Sequence, residues 1–367
     1  MRTTNKATIT RLVMRAALGL LASIGISLFI PGCGVGYVVR SAYFQAELLS
    51  SRKPIERVRE DGRLNTEQLK KLDLIADVKA YGKEIGLKST DNYETIAAEW
   101  DRTIWNISAC QPLSLTPKTW AFPIVGRVPY LGFFRRADAQ KWRTRLEDQG
   151  HEVYVRTAGA YSTLGWFRDP VLMPMLKWKD HRLAETVLHE LAHATLWIKG
   201  SVKFNESFAS FFGDEAAMQY MAARHGPDSD QVTRAAREAE DFARWRAVLR
   251  GLYQDLDTLY SDPALSDEDK LQEKERLFGT LSDRVLTSQM HDPARFQRAA
   301  EGGTWNNARM MQYRTYNHNR DRFQALLNES DGDLLQFIAR IHAITDDAKD
   351  PFEALRAATP QVDTPAK

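Results

Sequence analysis

The sequence predicts an α+β protein in which a small mixed β-sheet packs on a mostly α-helical body. Residues 101–170 combine alternating apolar residues with prolines, glycines and aromatics, which is typical of short strands joined by tight turns. From Asp180 onward, apolar residues recur at three- and four-residue spacing, which indicates helices. The chain has 367 residues, 43% hydrophobic and 27% charged, so it can form an ordinary hydrophobic core.

The overall charge argues against a nucleic-acid partner. Lys and Arg number 50 against 48 Asp and Glu, which gives a net charge of +2. Phosphate binding requires a concentrated basic surface, and this balance gives no reason to expect one. Two cysteines, Cys33 and Cys110, are too few for a disulfide scaffold. We therefore expect stability to come from core burial.

The first 32 residues are predicted to be a signal peptide of the lipoprotein type. "MRTTNKATITRLVMR" is basic and lacks acids, and an uncharged apolar stretch follows from Ala16 to Ile30. The segment Ile30-Pro31-Gly32-Cys33 resembles the bacterial lipobox, in which the cysteine is lipidated and becomes the mature N-terminus. Cys33 is therefore the predicted lipidation site.

An uncleaved transmembrane helix is the alternative for this region. Residues 16–39 carry no charge, and about 20 apolar residues can span a bilayer. Pro31 and the glycines that follow disfavour a continuous helix, so lipidation is the preferred interpretation. Both interpretations place the body in the cell envelope, attached to a membrane and facing the periplasm. Gly34 at the second mature position would permit transfer to an outer membrane.

The segments before the motif region alternate between helices and strands. Residues 33–55 form a membrane-proximal segment, and "RSAYFQAELLSSRKPIERVRE" and "NTEQLKKLDLIADVKAYGKEIG" have helical periodicity. "TIWNISACQPLSL" and "EVYVRTAGAYSTLGW" are predicted strands, and "KTWAFPIVGRVPYLGFF" is predicted to contain several strands with turns. Between them, "ADAQKWRTRLEDQG" is predicted to be a short helix that Gly150 ends.

The second half is predicted to be helical up to a flexible tail at residues 356–367. One helix starts after an Asp180 cap and ends at Gly200, and the next ends at Gly226. Residues 231–286 are expected to form an antiparallel helical hairpin with "SDPALS" as its turn. That hairpin could cover a cleft.

The motif His189-Glu190-Leu191-Ala192-His193 predicts a catalytic zinc site. Residues at i and i+4 share one helix face, so both imidazoles can reach one ion. Glu190 could act as the base for a water molecule that zinc polarises. The alternative is a chance match in a helix. The uncharged residues around the motif favour the zinc site, because an apolar helix would otherwise bury two histidines without an evident purpose.

Glu206 in "FNESFASFFGDE" is the predicted third ligand. A catalytic zinc keeps three protein ligands and one open position, and the short segment "KGSVKF" allows the next helix to fold back on the motif. Ser210, Gly213 and Ala217 would let the two helices approach closely. The alternative role for Glu206 is a first-turn glutamate that the helix dipole favours.

Other acids near the motif have more than one interpretation. Asp214 is predicted to orient a histidine from outside the ligand set, although Asp214 or Glu215 could instead be a ligand. Glu185 lies one turn before His189 and is either a supporting carboxylate or a surface charge.

With these motifs assembled, the chain resembles a family of bacterial predicted aminopeptidases of the gluzincin type. Six separate stretches carry the resemblance, in order: "YFQAELLSSRKPI", "LSLTPKTWAFPIVGRVPYLGFF", "GAYSTLGWFRDPVL", "TVLHELAHATLW", "FNESFASFFGDE" and "NNARMMQYRTY". The resemblance implies a zincin-like peptidase that binds one Zn²⁺ per chain through His189, His193 and Glu206, with Glu190 as base. Residues 56–355 would form this single domain, with a β-rich part at 101–170, metal-binding helices at 180–225 and a helical part at 231–345.

Two further stretches are candidates for substrate contacts. Gly159, Ala160 and Tyr161 could belong to an edge strand that binds an extended peptide through backbone hydrogen bonds, or they could simply end a strand. In "NNARMMQYRTYNHN", Tyr316 is predicted to donate a hydrogen bond to the oxyanion that forms during the reaction, and Tyr313 and His318 are alternative donors. The competing interpretation is that Tyr316 is an ordinary aromatic residue of the core.

We therefore expect a membrane-anchored zinc peptidase whose partner is a peptide substrate and whose activity is that of an aminopeptidase. Asp169 or Asp214 could bind the substrate ammonium group. An endopeptidase on the same scaffold is one alternative. A non-catalytic lipoprotein of envelope assembly, with a structural zinc between two helices, is the other.

Overall fold

The computed structural model describes residues 35–100, 102–122, 126–158 and 168–363. The predicted signal peptide, the lipidation site Cys33 and the predicted substrate strand at Gly159, Ala160 and Tyr161 lie outside these residues. Within the described part of the chain, no helix has both the length and the apolarity needed to cross a bilayer.

The architecture is α+β, as predicted, with small sheets beside a larger helical body. The N-terminal part contains helices α1 (Val35–Ser50), α2 (Ile55–Glu60) and α3 (Thr66–Glu84). Asn65 caps α3 in a reciprocal hydrogen-bonded pair with Gln68, which explains why that helix starts there.

The strands form three small sheets. Their bounds are β1 (Lys53–Pro54), β2 (Thr95–Ala97), β3 (Trp105–Cys110), β4 (Trp120–Phe122), β5 (Gly126–Val128), β6 (Leu131–Phe133), β7 (Glu152–Thr157) and β8 (Val171–Leu172). One sheet has the order β1-β2-β8, another β6-β3-β7, and β4 pairs with β5. The β3–β7 pair is antiparallel and sets Asn106 opposite Arg156. Helix α4 (Arg136–Glu147) covers this second sheet, and its chain turns at Gly150, where φ is +78°.

The motif region lies on two packed helices, α5 (Asp180–Thr195) and α6 (Val202–His225). Two predicted ends of α5 were wrong. Lys179 rather than Asp180 is the N-cap, and the helix ends at Thr195 instead of Gly200. The loop after Thr195 is held by Asn205, whose side chain both donates to and accepts from the Ile198 backbone, so these residues leave the helix. The predicted end of α6 at Gly226 is confirmed.

The C-terminal half is helical, as predicted. Its helices are α7 (Asp230–Ser261), α8 (Asp267–Gly279), α9 (Leu281–Thr287), α10 (Pro293–Glu301), α11 (Asn307–Tyr316), α12 (Arg320–Asn328), α13 (Leu334–Thr345) and α14 (Pro351–Ala358). The predicted hairpin is present as α7 packed against α8 and α9, but its second arm is broken at Thr280.

The buried apolar side chains form separate clusters, three of which hold the helices and sheets together. The largest one is built around α3, α5, α6, α12 and α13, and four phenylalanines of α6 are fully buried in it. A second cluster joins α7 to α11. The sheet β6-β3-β7 and α4 enclose a third. Burial of this kind is the dominant stabilising term in folding.

Candidate metal centre

The close approach of α5 and α6 depends on Gly213. A Cβ atom at this position would lie 2.9 Å from the Glu185 carbonyl oxygen and 3.1 Å from the His189 Cβ. Cβ atoms essentially never come within 3.0 Å of a non-bonded heavy atom, so a larger residue at position 213 would push the two helices apart. The sequence-based prediction that small residues allow this packing is confirmed at Gly213.

The two helices bring the two histidines and Glu206 together. Donor atoms of His189, His193 and Glu206 all lie within 4.8 Å of one another, so these residues could bind one metal ion. His193 is 3% exposed and Glu206 is 4% exposed, which places the group at the inner end of a cleft. Glu206 lies in the second turn of α6, because that helix begins at Val202. The helix dipole acts mainly on the first turn, so it does not explain the position of Glu206.

The spacing within this group fits a shared cation better than an ion pair. Glu206 Oε2 lies 3.5 Å from His189 Nε2 and 3.4 Å from His193 Nε2. A charge-assisted N–H···O bond is usually about 2.7–2.9 Å long. Tetrahedral coordination with bonds of about 2.0–2.2 Å separates neighbouring donor atoms by about 3.3–3.5 Å. The observed distances therefore resemble two edges of a metal coordination tetrahedron.

The electrostatics of the group follow from burial and charge. Burial alone would lower the pKa of His189, but the bond to Glu206 and the neighbouring carboxylates raise it to about 9. Burial would raise the pKa of Glu206, and the two imidazoles outweigh that effect and hold it well below its usual value. Glu206 is therefore ionised and available as an anionic ligand.

Glu190 lies beside the group and lines the cleft. Its Oε2 is buried and has no hydrogen-bond partner among the described residues. Tyr93 is also buried, and burial, followed by the negative charge of Glu190, raises the pKa of its phenol. A carboxylate oxygen without a partner can accept a proton from a substrate or a water molecule.

The wall opposite α5 contributes two tyrosines and an arginine. The Tyr316 ring stacks on His189 at 6.4 Å between centroids, and Arg156 donates a hydrogen bond to the Tyr316 hydroxyl at 3.2 Å. Tyr130 donates to Glu206 Oε1 at 3.0 Å. Burial, followed by the charge of Glu206, raises the pKa of both phenols, so both remain protonated hydrogen-bond donors.

Asp214 is not seen in contact with an imidazole. Its carboxylate lies 2.8 Å from Arg320 and 3.7 Å from Arg246, and it is also close to Glu185. Burial, followed by Asp214, raises the pKa of Glu185 to about 7. Glu206, rather than Asp214, belongs to the group that could hold a metal. An orienting role for Asp214 stays a prediction, and any such effect would have to act through Glu185.

Of the remaining candidates for substrate contacts, one lies in the cleft and the others do not line it. Tyr313 lines the cleft, whereas His318 packs edge-on against Phe352 and is not among the cleft residues. Asp169 is 1% exposed and accepts, through its carbonyl oxygen, a bond from the Tyr93 backbone. It is not among the described residues that line the cleft, and its proposed contact with a substrate ammonium group stays a prediction.

The cleft itself has a volume of about 1260 Å³ and runs between α5, the sheet containing β7, and helices α7, α10 and α11. This volume accommodates a peptide several residues long, since binding sites for compact ligands measure roughly 300–1,000 Å³. Its lining is both aromatic and charged. The hairpin formed by α7 and α8 contributes to one side of it through α7.

One family model matches residues 36–354, and its description is "Putative aminopeptidase". The chain belongs to this family. The match covers most of the chain and includes His189, His193, Glu206 and the other cleft residues described above. No curated protein and no solved structure was found to match the chain.

Sequence reasoning missed Tyr130 and Arg156. Tyr130 lies in the stretch of prolines, glycines and aromatics, where nothing local singles it out. Arg156 alternates along its strand with Val153 and Val155, which pack towards the sheet core, and this pattern usually indicates a solvated face. The signal that could have identified Arg156 is its position on the same strand face as Tyr154, a second large polar residue lining the cleft.

Proposed function

We propose that the protein is a membrane-tethered, zinc-dependent peptidase with a zincin-like fold of the gluzincin type, acting on peptides outside the cytoplasm as an aminopeptidase. The observation that carries the proposal is the convergence of His189, His193 and Glu206 with the spacing of a coordination tetrahedron. Two imidazoles and one carboxylate are the ligand set of many catalytic zinc sites, which keep a fourth position open.

Zinc, when bound, polarises a water molecule and the carbonyl group of the peptide bond. The residues of the chain supply the rest. Glu190 Oε2 accepts the proton of the attacking water and later delivers it to the amine that leaves. The Tyr316 hydroxyl donates a hydrogen bond to the oxygen on which negative charge develops. Tyr130 holds the Oε1 atom of Glu206, so that Oε2 faces the two imidazoles.

The membrane tether is proposed from the N-terminal sequence and from helix α1. Val38, Val39 and Tyr43 are 46%, 63% and 65% exposed on the first described helix. They follow directly on the apolar stretch and the lipobox-like Cys33. An exposed apolar face next to a lipid anchor would lie against the headgroup region of a bilayer.

Substitution of the proposed base tests the chemistry. Glu190→Gln should lower kcat for peptide hydrolysis by about 10³-fold while zinc content and thermal stability stay unchanged, because the amide cannot accept the proton. Glu215→Gln is the matched control, since Glu215 also lines the cleft but belongs to no part of the proposed machinery. It should keep activity within about threefold. Full activity in Glu190→Gln would contradict the proposal.

Two competing functions give different results in the same experiments. Digestion of unlabelled peptides by an aminopeptidase releases single N-terminal residues in order, whereas an endopeptidase produces internal fragments. A non-catalytic envelope lipoprotein predicts that Glu190→Gln fully complements a deletion strain. The family description favours the aminopeptidase.

A further inference from the structure

The cationic side chains that line the cleft differ in how they are neutralised. Glu238 contacts both Lys179 and Arg295, and Glu185 contacts Arg182. Arg320 and Arg246 share Asp214. Arg309 donates to the backbone carbonyls of Ala299 and Gly302. Within the described residues, each of these cations therefore has an anion or several carbonyl oxygens as acceptors.

Arg156 is the exception. The one acceptor found for its guanidinium among the described residues is the Tyr316 hydroxyl, at 3.2 Å, and its Nε is buried without a partner. The guanidinium also lies over the Tyr316 ring, 5.7 Å from the centroid. A half-buried cation without an anion is costly unless an anion arrives with a ligand. Arg156 is thus placed to receive one.

A second donor without an acceptor lies close by. Gln312 occupies the same face of α11 as Tyr316, one turn earlier, and α11 packs on β7, which carries Arg156. Gln312 is 7% exposed, lines the cleft and accepts a hydrogen bond from Ser108 through Oε1. Its Nε2 has no partner among the described residues. Two unsatisfied donor groups on adjacent elements suit a ligand that brings only acceptors.

We propose that Arg156, assisted by Gln312, binds a carboxylate of the peptide substrate. This inference rests on the proposed function, and it names the substrate class as short peptides with a carboxylate near the bond that is cut. A planar guanidinium binds a carboxylate through parallel N–H···O bonds, and the amide of Gln312 can donate a further one.

The geometry limits how far this carboxylate lies from the reacting bond. The Arg156–Tyr316 and Tyr316–His189 distances together keep the guanidinium within roughly 12 Å of the His189 ring, or about three residues of extended chain. The carboxylate can be the C-terminus of a di- to tetrapeptide or the side chain of Asp or Glu. Both sources present the same chemistry to Arg156.

Binding to protein that cannot turn over substrate tests the inference. Titration calorimetry on the Glu190→Gln protein, with one equivalent of zinc, would compare alanine di-, tri- and tetrapeptides with their C-terminal amides. We expect the free acids to bind about 30-fold more tightly at one preferred length. The affinities of alanyl-aspartate amide and alanyl-asparagine amide would then be compared, to test whether a side-chain carboxylate is bound. Equal affinity within both pairs would overturn the inference.

Variants of the arginine assign the effect to this side chain. Arg156→Gln should remove the difference in affinity between free acids and amides. Arg156→Lys should keep a small part of that difference, because the positive charge remains but the two parallel N–H donors of the guanidinium are lost. Arg295→Gln, a cleft arginine paired with Glu238, is the control and should keep the full difference. Circular dichroism and thermal melting would confirm that each variant folds. An Arg156→Gln protein that still prefers the free acid would overturn the inference.

Failure of this inference is distinguishable from failure of the proposed function. An Arg156→Gln protein with lower kcat and an unchanged KM for acids and amides alike would show that Arg156 only polarises Tyr316, while peptide hydrolysis stands. A carboxylate preference that depends on Arg156, in a protein that hydrolyses no peptide, would leave the binding site intact and remove the peptidase.

Discussion

The two walls of the cleft are built on different principles. On α5 and α6, polar groups face one another across a short gap, as the imidazole nitrogens of His189 and His193 do with Glu206. On β7 and α11, Arg156 and Gln312 have donor groups that no described residue satisfies. On the first wall, three groups with lone pairs converge in a way that suits a cation, and on the second, Arg156 and Gln312 keep N–H groups, unpaired among the described residues, that suit an anion.

This difference suggests a separation of roles, in which one wall of the cleft carries out the reaction and the other binds the substrate. The three converging groups of the first wall can be positioned before the substrate arrives. A wall with unsatisfied donors gains its missing acceptors when the substrate binds, and so contributes affinity and selectivity. Tyr316 belongs to the second wall but contacts both walls, because its ring packs on His189 and its hydroxyl bonds to Arg156.

Among the tests of this comparison between the walls, the largest effect is expected at Tyr316. Tyr316→Phe should lower kcat about 100-fold with little change in zinc affinity, because a donor to the developing oxyanion is lost. Tyr130→Phe is the matched comparison, since its hydroxyl bonds to Glu206. It should instead weaken zinc binding about 10-fold. Steady-state kinetics and zinc titration of both variants measure kcat and zinc affinity. A loss of zinc affinity in Tyr316→Phe and a loss of kcat in Tyr130→Phe would mean that the two tyrosines have the opposite roles.

The packing of α5 against α6 predicts an effect of intermediate size. Gly213→Ala should destabilise the protein by about 1–3 kcal/mol, because its methyl group would meet the Glu185 carbonyl and the His189 Cβ. Gly251→Ala, in the middle of α7, meets only the end of the Arg284 side chain at 3.6 Å and should be neutral or stabilising by up to ~1 kcal/mol. Urea unfolding of both variants gives the comparison. Equal stability of the two would show that α5 and α6 tolerate more space than the structure indicates.

The smallest effect concerns the far end of the cleft and depends on pH. Burial alone would raise the pKa of Glu238, but hydrogen bonds from Arg295 and Lys179 lower it to about 2. A carboxylate with a depressed folded-state pKa stabilises the fold above its unfolded value of about 4.3. This contribution is lost as the pH falls towards 2.

Glu238→Gln should therefore lower stability at pH 6–7 by up to ~1 kcal/mol. The difference from the wild type should shrink steadily between about pH 5 and pH 2. Thermal melts across this range measure it. A difference that stays constant with pH would mean that the Glu238 ion pairs do not set the stability of this region.

The wall formed by α5 and α6 could be predicted from sequence because its parts are local. His189 and His193 share one helix face by spacing alone, and Glu206 follows 13 residues after His193 on the next helix. Gly213 and the end of α6 at Gly226 were also predictable, since glycine has a distinct steric role at each position.

Apart from Tyr316, which the sequence singled out, the other wall could not be predicted, because it depends on long-range pairing. Tyr130 and Glu206 are 76 residues apart, and Arg156 and Tyr316 are 160 residues apart. The pairing of β3 with β6 and with β7, and the packing of α11 on that sheet, bring these groups to the cleft. The end of α5 was misplaced for a local reason, since it depends on side-chain hydrogen bonds between Asn205 and the Ile198 backbone rather than on Gly200.

Metal content tests the central claim most directly. Purified protein, equilibrated with zinc and passed through a desalting column, should retain about one zinc per chain by elemental analysis. Glu206→Ala and the double variant His189→Ala/His193→Ala should each retain almost none while keeping their helical content. Wild-type protein that retains no zinc, or variants that retain as much as the wild type, would contradict a metal centre on α5 and α6.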